Sequence, residues 1–526
     1  MKKLTTKYLM LGLLSGACTL YGEAKTPKIV VGIMVDQLRT DILEQLRPYF
    51  GDKGFNRLIS DGVYLQDVDF HNTVSDAPSG AAVVYTGAWP VTNGMAGAYV
   101  LDINQKINVP ILTTDKAKSR HDYSPAGIRV STIADEFFIN NGNLTKIYSV
   151  AGDPQVAVTA AGHAGSSAIY LDEFTGRWIA PAYYGVMPPV VANKNHTAPL
   201  SGRMTALQWK PLNPPEFYPM GKAWNQLDFN YGFTPASRDT YTRFKNSAPF
   251  NTEVTNVALD LLKTMPAPSA GSTAGMLNVA YSLAPYEYDS DGDNRPELID
   301  SYMRLDSDLG RLLDAIYKDY GQGNAVVFLS STGYAAEPLI PDADAKLPTG
   351  EITLKKAESL LNSYLSATFG NGDYVKLIKD GKLYLDTKQA EKKGIDIEKL
   401  RREAKTFLLR MTGVSQVFSI DEILNSGSMR AEELALGIDP KNVADLYILF
   451  TPGWTVVDDS AYPTVIQKVR MSSPATPAFI LAPDVAPATI TEAVDATVIA
   501  PTVSAQINIR APNGASSKPL NLKQTK

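Results

Sequence analysis

The stretch KIVVGIMV at 28–35, an almost unbroken apolar run that ends on Asp36, constrains the fold of this chain more than any other feature. A strand without polar alternation has no face for water, so it belongs inside a parallel sheet covered on both sides by helices. Further short apolar runs at 147–150, 276–283 and 325–329 repeat the signal. Between them lie helical patterns at 40–46, 79–85, 131–138, 252–262 and 297–317. In the last of these, Leu298, Met303, Leu305, Leu309 and Leu312 share one stripe and leave charged residues on the other face. Strand and helix in alternation predict an α/β fold with a central, mostly parallel sheet. Such sheets carry their chemistry at the carboxyl ends of the strands, where Asp36 and Ser330-Ser331 fall.

The texture changes from 346 to 440, where Lys, Glu and Leu dominate. Helical stretches at 354–365 and 397–409 flank a hairpin-like 374–385, which predicts a small α+β insertion. The expected organisation is a signal at 1–24, an α/β core over 25–345 with an excursion at about 150–250, the insertion at 346–440, and a return to the core over 441–526. Strands at 444–450 and 478–481 and a helix at 496–506 mark that return. The Pro-rich stretch 181–219 reads as a long surface excursion.

Lys2, Lys3 and Lys7 precede an apolar run at 8–20 that is too short to span a bilayer. This is the pattern of a secretory signal, with cleavage expected after Ala24. The export it implies places the protein in the periplasm or at the outer membrane. A loose lipobox ending on Cys18 is the alternative, and it would tether the chain by a lipid; no other segment has the length of a transmembrane span. The 50 Lys and Arg against 55 Asp and Glu, with no basic run beyond the N-terminus, argue against nucleic acid as a partner. Cys18 is the only cysteine, which excludes a disulfide framework and a cysteine zinc site. The four histidines are His71, His121, His163 and His196.

Six stretches, in order, resemble the alkaline phosphatase superfamily, most closely its phosphate-irrepressible, monoesterase-like branch. They are VGIMVDQLRTD (31–41), YTGAWPVTNGMAG (85–97), AGHAGSSAIYLDEFTGRWI (161–179), DSYMRLDSDLGRLL (300–313), ADLYILFTPGW (444–454) and DATVIAPTVSAQINIRAPNGASSKPL (495–520). The resemblance implies an alkaline-phosphatase-like α/β sandwich. It also implies two zinc ions held by Asp and His, a Ser or Thr nucleophile, and a cationic phosphate clamp. Carried over position by position, the zinc ligands fall on Asp36, Pro285, Asp289, Ser331, Thr332 and a residue near Ile466. The nucleophile falls on Ala77, and the phosphate contacts fall on Ala98, Asp153 and Gln155. Only Asp36 keeps the family's residue type at a ligand position, and no histidine follows residue 196.

This departure leads to the expectation of a catalytically inactive superfamily member, an exported envelope scaffold or binding subunit with a protein partner. One alternative is a phosphoric or sulfuric ester hydrolase with rearranged ligands. There Asp36, Asp289 and neighbouring carboxylates hold Mg²⁺ or Ca²⁺, and Ser75 or Ser79, beside Asp76, attacks. A second alternative is a small-ligand binder using the remnant cleft. Independently of the zinc positions, Asp289, Asp291, Asp293, Arg295 (through its carbonyl), Glu297 and Asp300 have the spacing of an EF-hand-type calcium loop. The histidines read as structural or exposed residues.

Overall fold

A computed structural model describes residues 26–522 apart from 114–121, 219–228, 235–236, 238, 270, 284–294, 336–348, 426, 460–463 and 470–472. The predicted signal, including Cys18, therefore lies outside the described residues. So do His121, Pro285, Asp289, Asp291 and Asp293, and the side chain of Arg295.

The core is a nine-stranded sheet. From one edge its strands run Ala488–Ile490, Val63–Leu65, Ala478–Leu481, Ala325–Ser331, Ile29–Asp36, Gly275–Ser282, Lys146–Ala151, Ser167–Leu171 and Trp178–Ile179. The five consecutive strands from Ala325–Ser331 to Ser167–Leu171 are parallel, and Ile29–Asp36 sits between Gly275–Ser282 and Ala325–Ser331. Ala478–Leu481 runs antiparallel to both of its neighbours, so the sheet is mixed but mostly parallel.

The continuous apolar run of the first strand is explained by its two faces. Val31, Ile33 and Val35 pack into one core with the helices Ala248–Leu262 and Arg295–Tyr320. Val30 and Met34 pack into a second core with Ala77–Thr86, Ile133–Asn141, Pro154–Ala161 and Ile499–Gln506. Gly32 lies where the second face is tightest. A Cβ there would come within 2.6 Å of the Phe328 ring and 2.5 Å of Asn278 Oδ1, the atom that accepts the Tyr85 hydroxyl at 3.1 Å.

Two sequence expectations about layout need correction. The Pro-rich stretch 181–219 is not a free surface excursion, because Val191, Leu200, Met204, Trp209 and Tyr218 are buried in the main core. The inserted unit also does not end at 440. Leu446–Phe450 pairs with Lys382–Leu385 and Val414–Ser419, and Trp454–Asp458 pairs with Gly350–Thr353 and Val465–Lys468. The core resumes only at Ala478–Leu481. Leu446–Phe450 is apolar enough for a central strand, but its alternation sends Leu446 and Ile448 into the insertion's own core and Tyr447 into a separate small cluster.

The inserted unit rests on the main fold beside the carboxyl ends of the strands. Arg129 pairs with Asp439 at 2.6 Å. Tyr384, Ile438 and Tyr447 pack with Leu101 and Ile103. Gly437 lies against Thr73, 3.3 Å from its Cα when a Cβ is built. No helix among the described residues is long and apolar enough to cross a membrane.

Candidate functional site

Asp36 closes the first strand, and the chain turns at once through Gln37, a buried residue with a left-handed φ of 66°. Strain of this kind persists only where the surroundings fix it, and it concentrates at functional sites. Thr332, just past the neighbouring strand, donates its hydroxyl to Asp36 Oδ1 at 2.7 Å. Ser331 instead donates to Leu38 O at 3.0 Å and so holds the turn after Asp36. The carboxyl of Asp36 is pushed up to about 7, chiefly by loss of solvation, with the charges of Asp153 and Asp76 adding to it.

The second wall is the loop 70–76 leading into Ala77–Thr86. Asp76 is the N-cap of that helix and accepts Ser79 N–H at 2.9 Å. Its other oxygen takes Ala98 N–H at 2.7 Å and the Ser75 hydroxyl at 3.3 Å. The helix approaches so closely that a Cβ on Gly80 would lie 1.8 Å from Thr332 O. The serines flanking Ala77 differ in access. Ser79 is fully buried and donates to Asp76 O at 3.0 Å, whereas Ser75 is exposed at the cleft. Thr73 is buried and bonds to Phe70 O at 2.7 Å.

The third wall is the start of Pro154–Ala161. Asp153 caps this helix through Gln155 N–H at 2.7 Å and Val156 N–H at 3.0 Å. Gln155 Oε1 accepts Leu112 N–H at 3.1 Å. Burial raises the Asp153 carboxyl, and Lys245 partly offsets this. Lys245 itself pairs with Glu173 at 3.3 Å.

The structure thus gathers Asp36, Ala77, Ala98, Asp153, Gln155, Ser331 and Thr332 around one cleft. It does not bring Ile466 there. That residue lies on the insertion's edge strand Val465–Lys468 and is 69% exposed. The chain returns to the cleft rim further on, where Ser473 meets Asn72, Ala475 O accepts Thr40 N–H at 3.0 Å and Pro477 O accepts Ser331 N–H at 3.1 Å. Sequence reasoning missed this return because the inserted unit extends past its expected end.

The calcium loop fares differently from its spacing. Asp300 is fully buried and accepts Trp209 Nε1–H, Leu212 N–H and the Tyr218 hydroxyl, each at 2.7 Å, and Arg304 Nε–H at 2.6 Å. Glu297 takes the Tyr231 hydroxyl at 2.5 Å. Both carboxylates fasten the aromatic excursion to the long helix, so Asp300 does not serve as a closing calcium ligand.

The described histidines stand apart from the cleft's carboxylates. His71 lies between Asp495 at 2.7 Å and Asp69 at 3.3 Å, and His196 is exposed on Pro189–Thr197. His163 meets Asp135 at 2.9 Å through one ring nitrogen and Ile128 O at 3.1 Å through the other. A zinc pair needs a set of histidine and carboxylate donors converging on it. Among the described residues no group of three or more His, Cys, Asp or Glu is arranged to hold a metal ion. Asp36 has a hydroxyl neighbour where zinc would need a histidine. Among the described residues the cleft offers no donor set that fits a zinc pair.

Against known proteins, the family model described as type I phosphodiesterase / nucleotide pyrophosphatase matches residues 30–474. The chain is 26% identical to alkaline phosphatase PhoV of Synechococcus elongatus, over 94% of this chain and 92% of the relative. It is 25% identical to alkaline phosphatase PafA of Elizabethkingia meningoseptica, over 98% and 99%. The crystal structure of wild-type PafA superposes with a TM-score of 0.79 at 24% identity, covering 94% of this chain and 98% of that one. These matches overturn the expectation of a catalytically inactive scaffold or binding subunit. Both of these relatives, matched over nearly their whole length, are alkaline phosphatases, and the fold is that of PafA.

Proposed function

The chain belongs to the type I phosphodiesterase / nucleotide pyrophosphatase family, and from that premise we propose that it is a phosphoric ester hydrolase working through a rearranged site. The observation that carries the reading is the match to alkaline phosphatases over nearly the whole of both chains. The cleft adds an exposed hydroxyl, Ser75, hydrogen-bonded to a carboxylate that two backbone N–H groups hold in place. A serine attacks when a neighbouring base accepts its proton.

In this reading Ser75 Oγ bonds to phosphorus as the ester P–O bond breaks. The hydroxyl proton passes to Asp76 and on to solvent, and the departing oxygen takes a proton from water. Hydrolysis of the phosphoseryl intermediate then releases phosphate and restores Ser75. No step runs through zinc. A hard cation such as Mg²⁺ or Ca²⁺ is the class that oxygen donors such as Asp36 would accept. Export by residues 1–24 is part of the same proposal, since it would bring the enzyme to extracytoplasmic esters.

The test is turnover of p-nitrophenyl phosphate and bis(p-nitrophenyl) phosphate by the purified protein, with and without added Mg²⁺, Ca²⁺ and Zn²⁺. Ser75→Ala is expected to lower kcat/KM by roughly 100-fold or more, while Ser79→Ala stays close to wild type. A well-folded protein that turns over neither ester under any of these conditions overturns the reading.

A further inference from the structure

The segment 70–76, which carries Ser75 and Asp76, begins with a strained turn. His71 and Asn72 follow each other and both have left-handed φ, 50° and 54°. Two successive residues other than glycine persist in that region only where their surroundings hold them.

Much of that hold comes through His71. Its N–H donates to Asp69 Oδ1 at 2.7 Å, ring Nε2 meets Asp495 Oδ1 at 2.7 Å, and Nδ1 lies 3.3 Å from the other Asp69 oxygen. The ring also packs at a steep angle on the buried Trp89, with centroids 5.2 Å apart. Asp69 and Asp495 are register partners on two short parallel strands, Val68–Asp69 and Val494–Asp495, so the carboxylates come to the ring from a fixed ladder. Asp495 precedes the turn Ala496–Val498 without capping it through its side chain, which leaves its carboxylate to His71. Beyond the turn, Asn72 meets Ser473, and Thr73 bonds twice to Phe70 O, at 2.9 Å through its N–H and 2.7 Å through its hydroxyl.

Ser75 comes two residues later. Its own bonds are long: 3.3 Å from its hydroxyl to Asp76 and 3.3 Å from its N–H to Ser79 Oγ. The turn behind Ser75 therefore does much to set where its hydroxyl stands.

We propose that His71 is a positioning residue, which by joining Asp69 to Asp495 locks the left-handed turn and so fixes Ser75 Oγ for in-line attack on phosphorus. The inference rests on the hydrolase reading and adds to it the group that holds the attacking hydroxyl in place. His71 acts through the loop and needs no contact with substrate.

The test is steady-state turnover of p-nitrophenyl phosphate by the full protein, with Tm measured beside it. His71→Asn shortens the side chain so that it no longer reaches Asp495, while asparagine suits a left-handed φ. It is expected to lower kcat about tenfold or more, with KM and Tm close to those of wild type. His71→Gln places an amide donor near the position of Nε2 and is expected to restore most of that loss. Asp495→Ala, which breaks the same contact from another strand, is expected to match His71→Asn, and the double variant to be no slower than either single one. An active wild type with unchanged kcat in His71→Asn or Asp495→Ala, or losses that multiply in the double variant, overturns the positioning role and leaves the Ser75 reading standing. A folded wild type that turns over no ester removes the hydrolase reading, and this inference with it.

Discussion

At the residue scale, two titrating groups give opposite tests. Asp36 has its carboxyl raised to about 7 by burial, above the ordinary 3.8 of the unfolded chain. A raised value means that stability is fully present below the unfolded pKa and is lost as pH rises through 7. Asp36→Asn removes the buried charge, so it is expected to stabilise the protein by about 2–4 kcal/mol at pH 8 and to change little at pH 4. Thermal melts of both proteins across that range check it, and a variant less stable at pH 8 contradicts it. His163 is raised as well, because its partner Asp135 favours the imidazolium. Its contribution is present below the ordinary histidine value near 6.5 and fades as pH rises. The Tm gap between wild type and His163→Gln is therefore expected to be larger at pH 6 than at pH 9. What the sequence could not reveal at this scale was access. Ser75 and Ser79 flank Ala77 symmetrically in the chain, and only the N-cap at Asp76 decides that one is buried under the helix and the other left in the cleft.

At the scale of elements, unbroken apolar runs proved readable because burial on both faces leaves no alternative structure for them. The strand Ile29–Asp36 and the helix Arg295–Tyr320 were legible for that reason, the second through its stripe of Leu298, Met303, Leu305, Leu309 and Leu312. Acidic spacing was misleading. The residues from 289 to 300 have the order of a calcium loop, yet Asp300 is spent inside the fold as the anchor of Trp209, Leu212 and Tyr218. No local pattern records a partner 91 residues away. Removing that anchor leaves buried donors without an acceptor and Arg304 without its carboxylate, so Asp300→Ala is expected to cost about 3–5 kcal/mol. Limited proteolysis should then cut within 208–218 first. An Asp300→Ala protein as stable as wild type and uncut there would contradict this assignment. Gly80 is a second element-scale constraint. With Thr332 O at 1.8 Å from a built Cβ, Gly80→Ala is expected to push the helix Ala77–Thr86 off the sheet and destabilise by about 1–3 kcal/mol, measured by denaturant unfolding.

At the scale of the whole molecule, the α/β architecture was legible in the alternation of strand and helix, and the family in six ordered stretches. Function was less legible. Counting missing zinc ligands one position at a time pointed to an inert protein, because that count weighs only the residues a zinc mechanism needs. It gives no weight to an exposed serine beside a fixed carboxylate. The inserted unit rests against the same loop through Gly437 on Thr73, and against the main fold through Asp439 on Arg129. The central claim is therefore that catalysis passes through Ser75. The most direct measurement is acid-quenched turnover of p-nitrophenyl phosphate followed by peptide mass mapping. The account expects a phosphoryl adduct on the peptide containing Ser75, absent in Ser75→Ala. Turnover with the adduct on another residue, or a folded protein that forms no adduct and releases no p-nitrophenol, would contradict it.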